Sequence, residues 1–135
     1  MLARCDDAFV RSDAPTNGFR GYYGFVGTNA DKGAIGYGNT DNGWGGNISV
    51  GDAYSLKRGD DLHLTMTVFG DRIFATFTNL ANGKIEVSLV GASSTWKRGG
   101  FGFRMRSRYG KVVALGNTAF DNLCVTVIDE SGLPT

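Results

Sequence analysis

Along this chain apolar and polar residues alternate with a period of two, and no helical period persists for more than a few residues. That pattern predicts strands separated by Gly, Asn and Asp turns. The clearest stretch runs from Asp61 to Thr78. Leu62, Leu64, Met66 and Val68 share one face, and His63, Thr65, Thr67 and Phe69 share the other. Gly70-Asp71 then turns the chain, and Ile73, Ala75 and Phe77 alternate on the return. Asn82-Gly83 is a second turn signal, after which Lys84 to Val90 puts Ile85, Val87 and Leu89 on one face, so an antiparallel meander is predicted. From Gly99 to Tyr109, Phe101, Phe103, Met105 and Tyr109 alternate with Arg104, Arg106 and Arg108, an apolar face backed by a basic stripe. A last strand is predicted over Thr118 to Ile128, with Phe120 and Cys124 on one face and Leu123, Val125 and Val127 on the other, held between packed layers.

Upstream, Leu2 to Arg11, Phe19 to Thr28, Gly33 to Gly38 and Gly43 to Val50 read as shorter, glycine-richer strands. Loops fall at Ser12 to Gly18, Asn29 to Lys32 and Asn39 to Asn42. About nine strands with no repeat unit predict an all-β fold, a two-sheet antiparallel sandwich. Its core is expected to hold Leu62, Leu64, Met66, Val68, Ile73, Phe77, Val87, Phe101 and Phe103.

Composition agrees with this reading and narrows the chemistry. The 135 residues make one domain, expected over 1–129 with 130–135 as a tail. Glu86 and Glu130 are the only glutamates, His63 is the only histidine and glutamine is absent, a shortage of residues that solvate helices and perform acid-base chemistry. The net charge of +1 supplies no field for nucleic acid or an anionic membrane, and neither is expected as a partner. No apolar run approaches the roughly 20 residues of a membrane helix, and the opening Met1-Leu2-Ala3-Arg4-Cys5 has no apolar core of signal-peptide length. Cys5 and Cys124, near opposite ends, fit either a staple between terminal strands or two buried free thiols.

Several segments carry a further signal through their order. Leu2-Ala3-Arg4-Cys5-Asp6-Asp7 leads to Gly21-Tyr22-Tyr23-Gly24-Phe25, and the strand and turn from Leu62 to Ile73 follow. Then come Gly99-Gly100-Phe101-Gly102-Phe103-Arg104 and Ala119-Phe120-Asp121-Asn122-Leu123-Cys124-Val125. This order resembles the concanavalin A-like lectin/glucanase superfamily, whose members include legume lectins, laminin G-like domains and many carbohydrate-binding modules. In such domains a G-x-x-G-[FL]-R strand followed by a [FY]-D-N-[FLV]-x-V strand closes a jelly roll. The resemblance implies a jelly-roll sandwich in an extracellular or cell-surface setting, within a larger secreted protein. The family opens with one or two further strands that nothing here supplies. An open sheet edge is therefore expected, covered by a larger parent chain or by a second copy in a homo-oligomer.

The residues themselves argue against most catalysis. Glycoside hydrolysis needs two carboxylates facing one cleft, and the E-x-D-x-x-E strand of the laminarinase-like members is absent; Glu86 stands alone on its strand and Glu130 lies in the tail. A polysaccharide lyase would need a base with cations beside the uronate, and His63 and Tyr109 with Arg104 and Arg106 are the set available. The competing reading of His63 is a strand histidine among threonines. No G-x-S-x-G elbow or phosphate loop accompanies the serines and glycines. Jelly rolls often tether a loop through calcium, and Asp6, Asp7, Asp121 and Asn122 offer oxygens; Asp121 and Asn122 are the candidate Ca2+ ligands, or else ordinary turn residues.

Tyr22, Tyr23, Tyr37, Trp44, Tyr54 and Trp96 lie in or beside the glycine-rich segments, either as platforms for sugar rings or as core. Trp44 is the best exposed candidate. The arginine stripe is either a solvated face or an anion contact. The function expected is a non-catalytic, carbohydrate-binding lectin-like module that contacts a polysaccharide or glycan through Tyr22, Trp44, Arg104 and Arg106. The alternative is a protein interaction or assembly domain of laminin G-like type, and a lyase using His63 and Tyr109 comes third.

Overall fold

The computed structural model of the chain describes residues 2–5, 21–26, 32–38, 45–54, 59–102 and 120–134. Eight strands lie among them: β1 (Leu2–Cys5), β2 (Gly21–Phe25), β3 (Lys32–Gly38), β4 (Gly46–Ala53), β5 (Leu62–Phe69), β6 (Arg72–Asn79), β7 (Lys84–Ala92) and β8 (Gly100–Gly102). They form an all-β, two-sheet antiparallel sandwich, with one sheet in the order β4-β3-β2-β1-β8 and the other a β5-β6-β7 meander.

The meander follows from its turns. Phe69 pairs with Arg72 across Gly70-Asp71, and Gly70 takes a φ of 59°, which a side chain would resist. Between β6 and β7 the Gly83 N–H donates to the Asn79 carbonyl at 2.8 Å, and the Asn79 and Asn82 side chains accept from the N–H groups of Ala81 and Lys84.

Alternation then sends Ile73, Ala75 and Phe77 of β6 and Val87 and Leu89 of β7 inward, where they meet Tyr22 and Ile35 of the other sheet in one buried cluster. The sheets approach closely at Gly24, which faces Ala75, Phe77 and Met66. A polar clasp joins them as well. The Tyr22 hydroxyl donates to the Ser93 carbonyl at 3.0 Å and accepts from the Trp96 backbone N–H at 3.0 Å, with the Trp96 ring edge-on to the tyrosine at 5.3 Å.

Four expectations are corrected. Ile85 does not share the inner face of Val87. A bulge between Phe77 and Thr78 makes Glu86 the extra residue, so Ile85 stands opposite Thr78 and is exposed. Phe101 lies on the inner face, opposite Ala3, which is itself opposite Tyr22, yet it is 54% exposed. The segment expected as a last buried strand has no regular structure over 120–129 and exposes Leu123, Val125 and Val127, since it pairs with no described strand. Cys124, on that segment, is a free and exposed thiol, neither buried nor bridged to Cys5. Phe103 and Met105 lie outside the described residues.

Candidate functional site

With the inner face of the meander committed to the core, the alternate residues form its outer face, and the strand register arranges them in rungs. His63, Thr78 and Ile85 make one rung; Thr65, Thr76 and Ser88 the next; Thr67, Phe74 and Val90 the third; Phe69, Arg72 and Ala92 the last. Strands about 4.8 Å apart and same-face residues about 7 Å apart turn Thr65, Thr67, Thr76, Thr78 and Ser88 into a hydroxyl lattice. His63, Thr65 and Ser88 are exposed, and Thr67, Thr76 and Thr78 are half-buried.

The far end of the face is apolar: Val90 is 62% exposed beside the half-buried Phe74 and Phe69. The Arg72 guanidinium lies 5.9 Å from the Phe69 ring centroid, so its charge sits over an aromatic face. Each hydroxyl both donates and accepts, and the ledge of Phe69, Phe74 and Val90 offers C–H surface beside them. Such a face can bind a flat, hydroxyl-bearing ligand; it holds no group placed to move a proton except His63 at one corner.

Of the residues expected at a ligand surface, Tyr22 is at 0% exposure in the core, its hydroxyl spent on Ser93 and Trp96. It offers no face to a ligand. Tyr23, on the opposite side of β2, is also buried, lying across Gly36 with its hydroxyl 3.4 Å from the Gly46 carbonyl. Tyr54 and Trp96 pack against the core. Trp44, Arg104 and Arg106 lie outside the described residues, as does Tyr109, and with them the calcium candidates Asp6 and Asp7. Asp121 and Asn122 are exposed, with Asn122 at a φ of 51°, a turn conformation that asparagine tolerates. Among the described residues no three His, Cys, Asp or Glu side chains gather around a common point.

Two ionisable groups have local partners that the sequence did not reveal. Glu86 is paired with the Lys84 ammonium at 2.8 Å. The Tyr54 hydroxyl donates to Asp60 Oδ2 at 2.6 Å, and its pKa is pushed up to about 12, first by desolvation, then by the Asp60 hydrogen bond and by the charges of Asp60 and Glu86. The folded pKa lies above the ordinary value, so the stability this phenol contributes is complete below pH 10 and is lost as pH rises through about 12. Alkaline titration of tyrosinate absorbance should therefore show a late component that is missing from Tyr54→Phe. Persistence of that component in the variant would remove the assignment.

Comparison with protein-family models, with curated proteins and with solved structures gives no match.

Proposed function

We propose that the chain is a non-catalytic carbohydrate-binding module whose ligand surface is the outer face of β5, β6 and β7. The observation that carries this reading is the lattice of five hydroxyl side chains beside the ledge of Phe69, Phe74 and Val90. Sugar rings present the same pair of features, hydroxyl edges and C–H faces, and this outer face offers partners for both. The order of strand motifs that resembles lectin-like jelly rolls supports the same class of ligand. Affinity gels containing neutral and acidic polysaccharides test it: retardation in at least one gel is expected. Each hydrogen-bonding hydroxyl contributes on the order of 1 kcal/mol, so Thr65→Ala combined with Ser88→Ala should weaken binding by about tenfold or more. If Trp44→Ala or Arg104→Ala abolishes binding while the double variant binds normally, the surface lies with those residues instead. Silence across the panel removes the carbohydrate reading, and release of unsaturated product would replace it with a lyase.

A second reading, an interaction or assembly domain, is favoured by a different observation. The chain exposes Leu123, Val125 and Val127 together, an apolar row of a kind that soluble surfaces rarely leave uncovered.

A further inference from the structure

No Asp or Glu stands in any of the four rungs on the outer face of β5, β6 and β7, and the one permanent charge there is the Arg72 guanidinium in the last rung. Lying 5.9 Å from the Phe69 ring centroid, that charge is held over the apolar ledge. One rung, about 7 Å, separates Arg72 from Phe74 along β6, and Val90 stands opposite Phe74. A sugar ring seated on Phe74 and Val90 therefore brings its edge towards a cation.

What meets the guanidinium is a carboxylate from outside the sheet. Glu130 lies 58 residues further along the chain and opens the 3-10 turn Glu130–Gly132. The turn is fixed from within. The Asp129 carboxylate accepts from the Ser131 N–H at 2.9 Å and from the Ser131 hydroxyl, the Leu133 N–H donates to the Glu130 carbonyl, and Gly132 packs against Ile128. These contacts use the Asp129 side chain and the Glu130 backbone, so the Glu130 side chain is left to reach Arg72.

The contact they make is slight. One terminal nitrogen of Arg72 donates to one oxygen of Glu130 at 3.2 Å, and neither side chain makes another hydrogen bond among the described residues. A planar guanidinium can grip both oxygens of a carboxylate at about 2.7–2.9 Å, so Glu130 fills the position without using its full capacity. The two side chains are 44% and 81% exposed, and water screens such a pair, so a competing carboxylate can part it.

We propose that the Arg72 corner of this face is a carboxylate subsite, that the polysaccharide taken there is a polyuronate, and that Glu130 holds the subsite until the ligand's carboxylate displaces it. The inference rests on the carbohydrate reading and narrows it to one class of sugar. The hydroxyl lattice and the ledge receive the ring, as they would for any sugar, and Arg72 selects the acid through a charge-assisted hydrogen bond that a neutral sugar cannot return. Glu130 then acts as a competing internal ligand, which sharpens selection by admitting only a partner that outbids one exposed carboxylate.

The test uses the full chain with polygalacturonate and alginate, each against its methyl-esterified form, which keeps the rings and linkages and removes the charge. Affinity gels and calorimetry should favour the acid over the ester for at least one polymer. The ratio of the two affinities is the readout. Arg72→Gln should lower that ratio by about tenfold, and Glu130→Gln should raise it several-fold. Both side chains are exposed, so circular dichroism and the urea midpoint should stay those of the parent. Acid and ester held alike, neutral polysaccharides held in place of both, or a ratio that Arg72→Gln leaves unchanged would overturn the subsite while the carbohydrate reading stands. A ratio lowered by Glu130→Gln would make that carboxylate a support for Arg72 and overturn the displacement. Silence in every gel, neutral and acidic, would overturn both readings together.

Discussion

Phe77→Ala is expected to lower the free energy of unfolding by about 3–5 kcal/mol, the range for truncating a fully buried aromatic ring. Phe77 is 1% exposed, on the middle strand of the meander, opposite Leu64 on one side and Val87 on the other. Its ring reaches across to the backbone of Gly24 in the facing sheet, so truncation opens a cavity bounded by both layers. Neither layer can collapse into it without pulling its strands out of register. Urea melts should show a lower midpoint with the slope preserved, and a loss below about 1 kcal/mol would place Phe77 outside the core.

Gly36→Ala should cost about 3 kcal/mol, the upper end for overpacking, for a reason that lies on the other side of the five-stranded sheet. A methyl group there would collide with the Tyr23 hydroxyl and ring and would stand 2.6 Å from the Gly46 carbonyl oxygen. The tyrosine can move, but the carbonyl belongs to the backbone of the adjacent strand β4. Coupling separates the two contributions. In a Tyr23→Leu background the same substitution should cost less, because the ring is gone, yet still more than nothing, because the carbonyl remains. Equal costs in both backgrounds would mean that the tyrosine does not constrain the glycine.

The meander was legible because its information is local. Gly70-Asp71 and Asn82-Gly83 fix two turns, and once those are placed the alternation between them admits a single arrangement of faces. The hydroxyl lattice could be read in the same way, since His63, Thr65 and Thr67 already stood opposite the core row; what the sequence lacked was the neighbour relation that sets Thr65 beside Thr76 and Ser88. Two of the misses share one cause, and the third, Ile85, has its own. Alternation assigns a residue to a face but says nothing of what lies against that face. Phe101 is on the expected side, opposite Ala3 and through it Tyr22, and is 54% exposed. Ile85 changed side because one bulge shifts every residue before it. For Tyr22 and Tyr23 the pattern required only that the two point in opposite directions, and the core took Tyr22 while Tyr23 was covered against Gly36.

The two sheets also differ in how far along the chain their partners lie. β5, β6 and β7 pair with sequence neighbours through short turns, whereas β1 must find β2 at Ala3–Tyr22 and β8 at Ala3–Phe101. Loop-closure entropy grows with the length of chain enclosed, so the meander is the part that forms at least cost, and the β1–β8 pairing is the one that must wait for the rest. The apolar inner face of the meander is bare until β2 and β3, which carry Tyr22 and Ile35, pack against it. A change that slows the docking of β2 and β3 onto the meander extends that interval, and so acts on refolding yield before it acts on the stability of the finished sandwich.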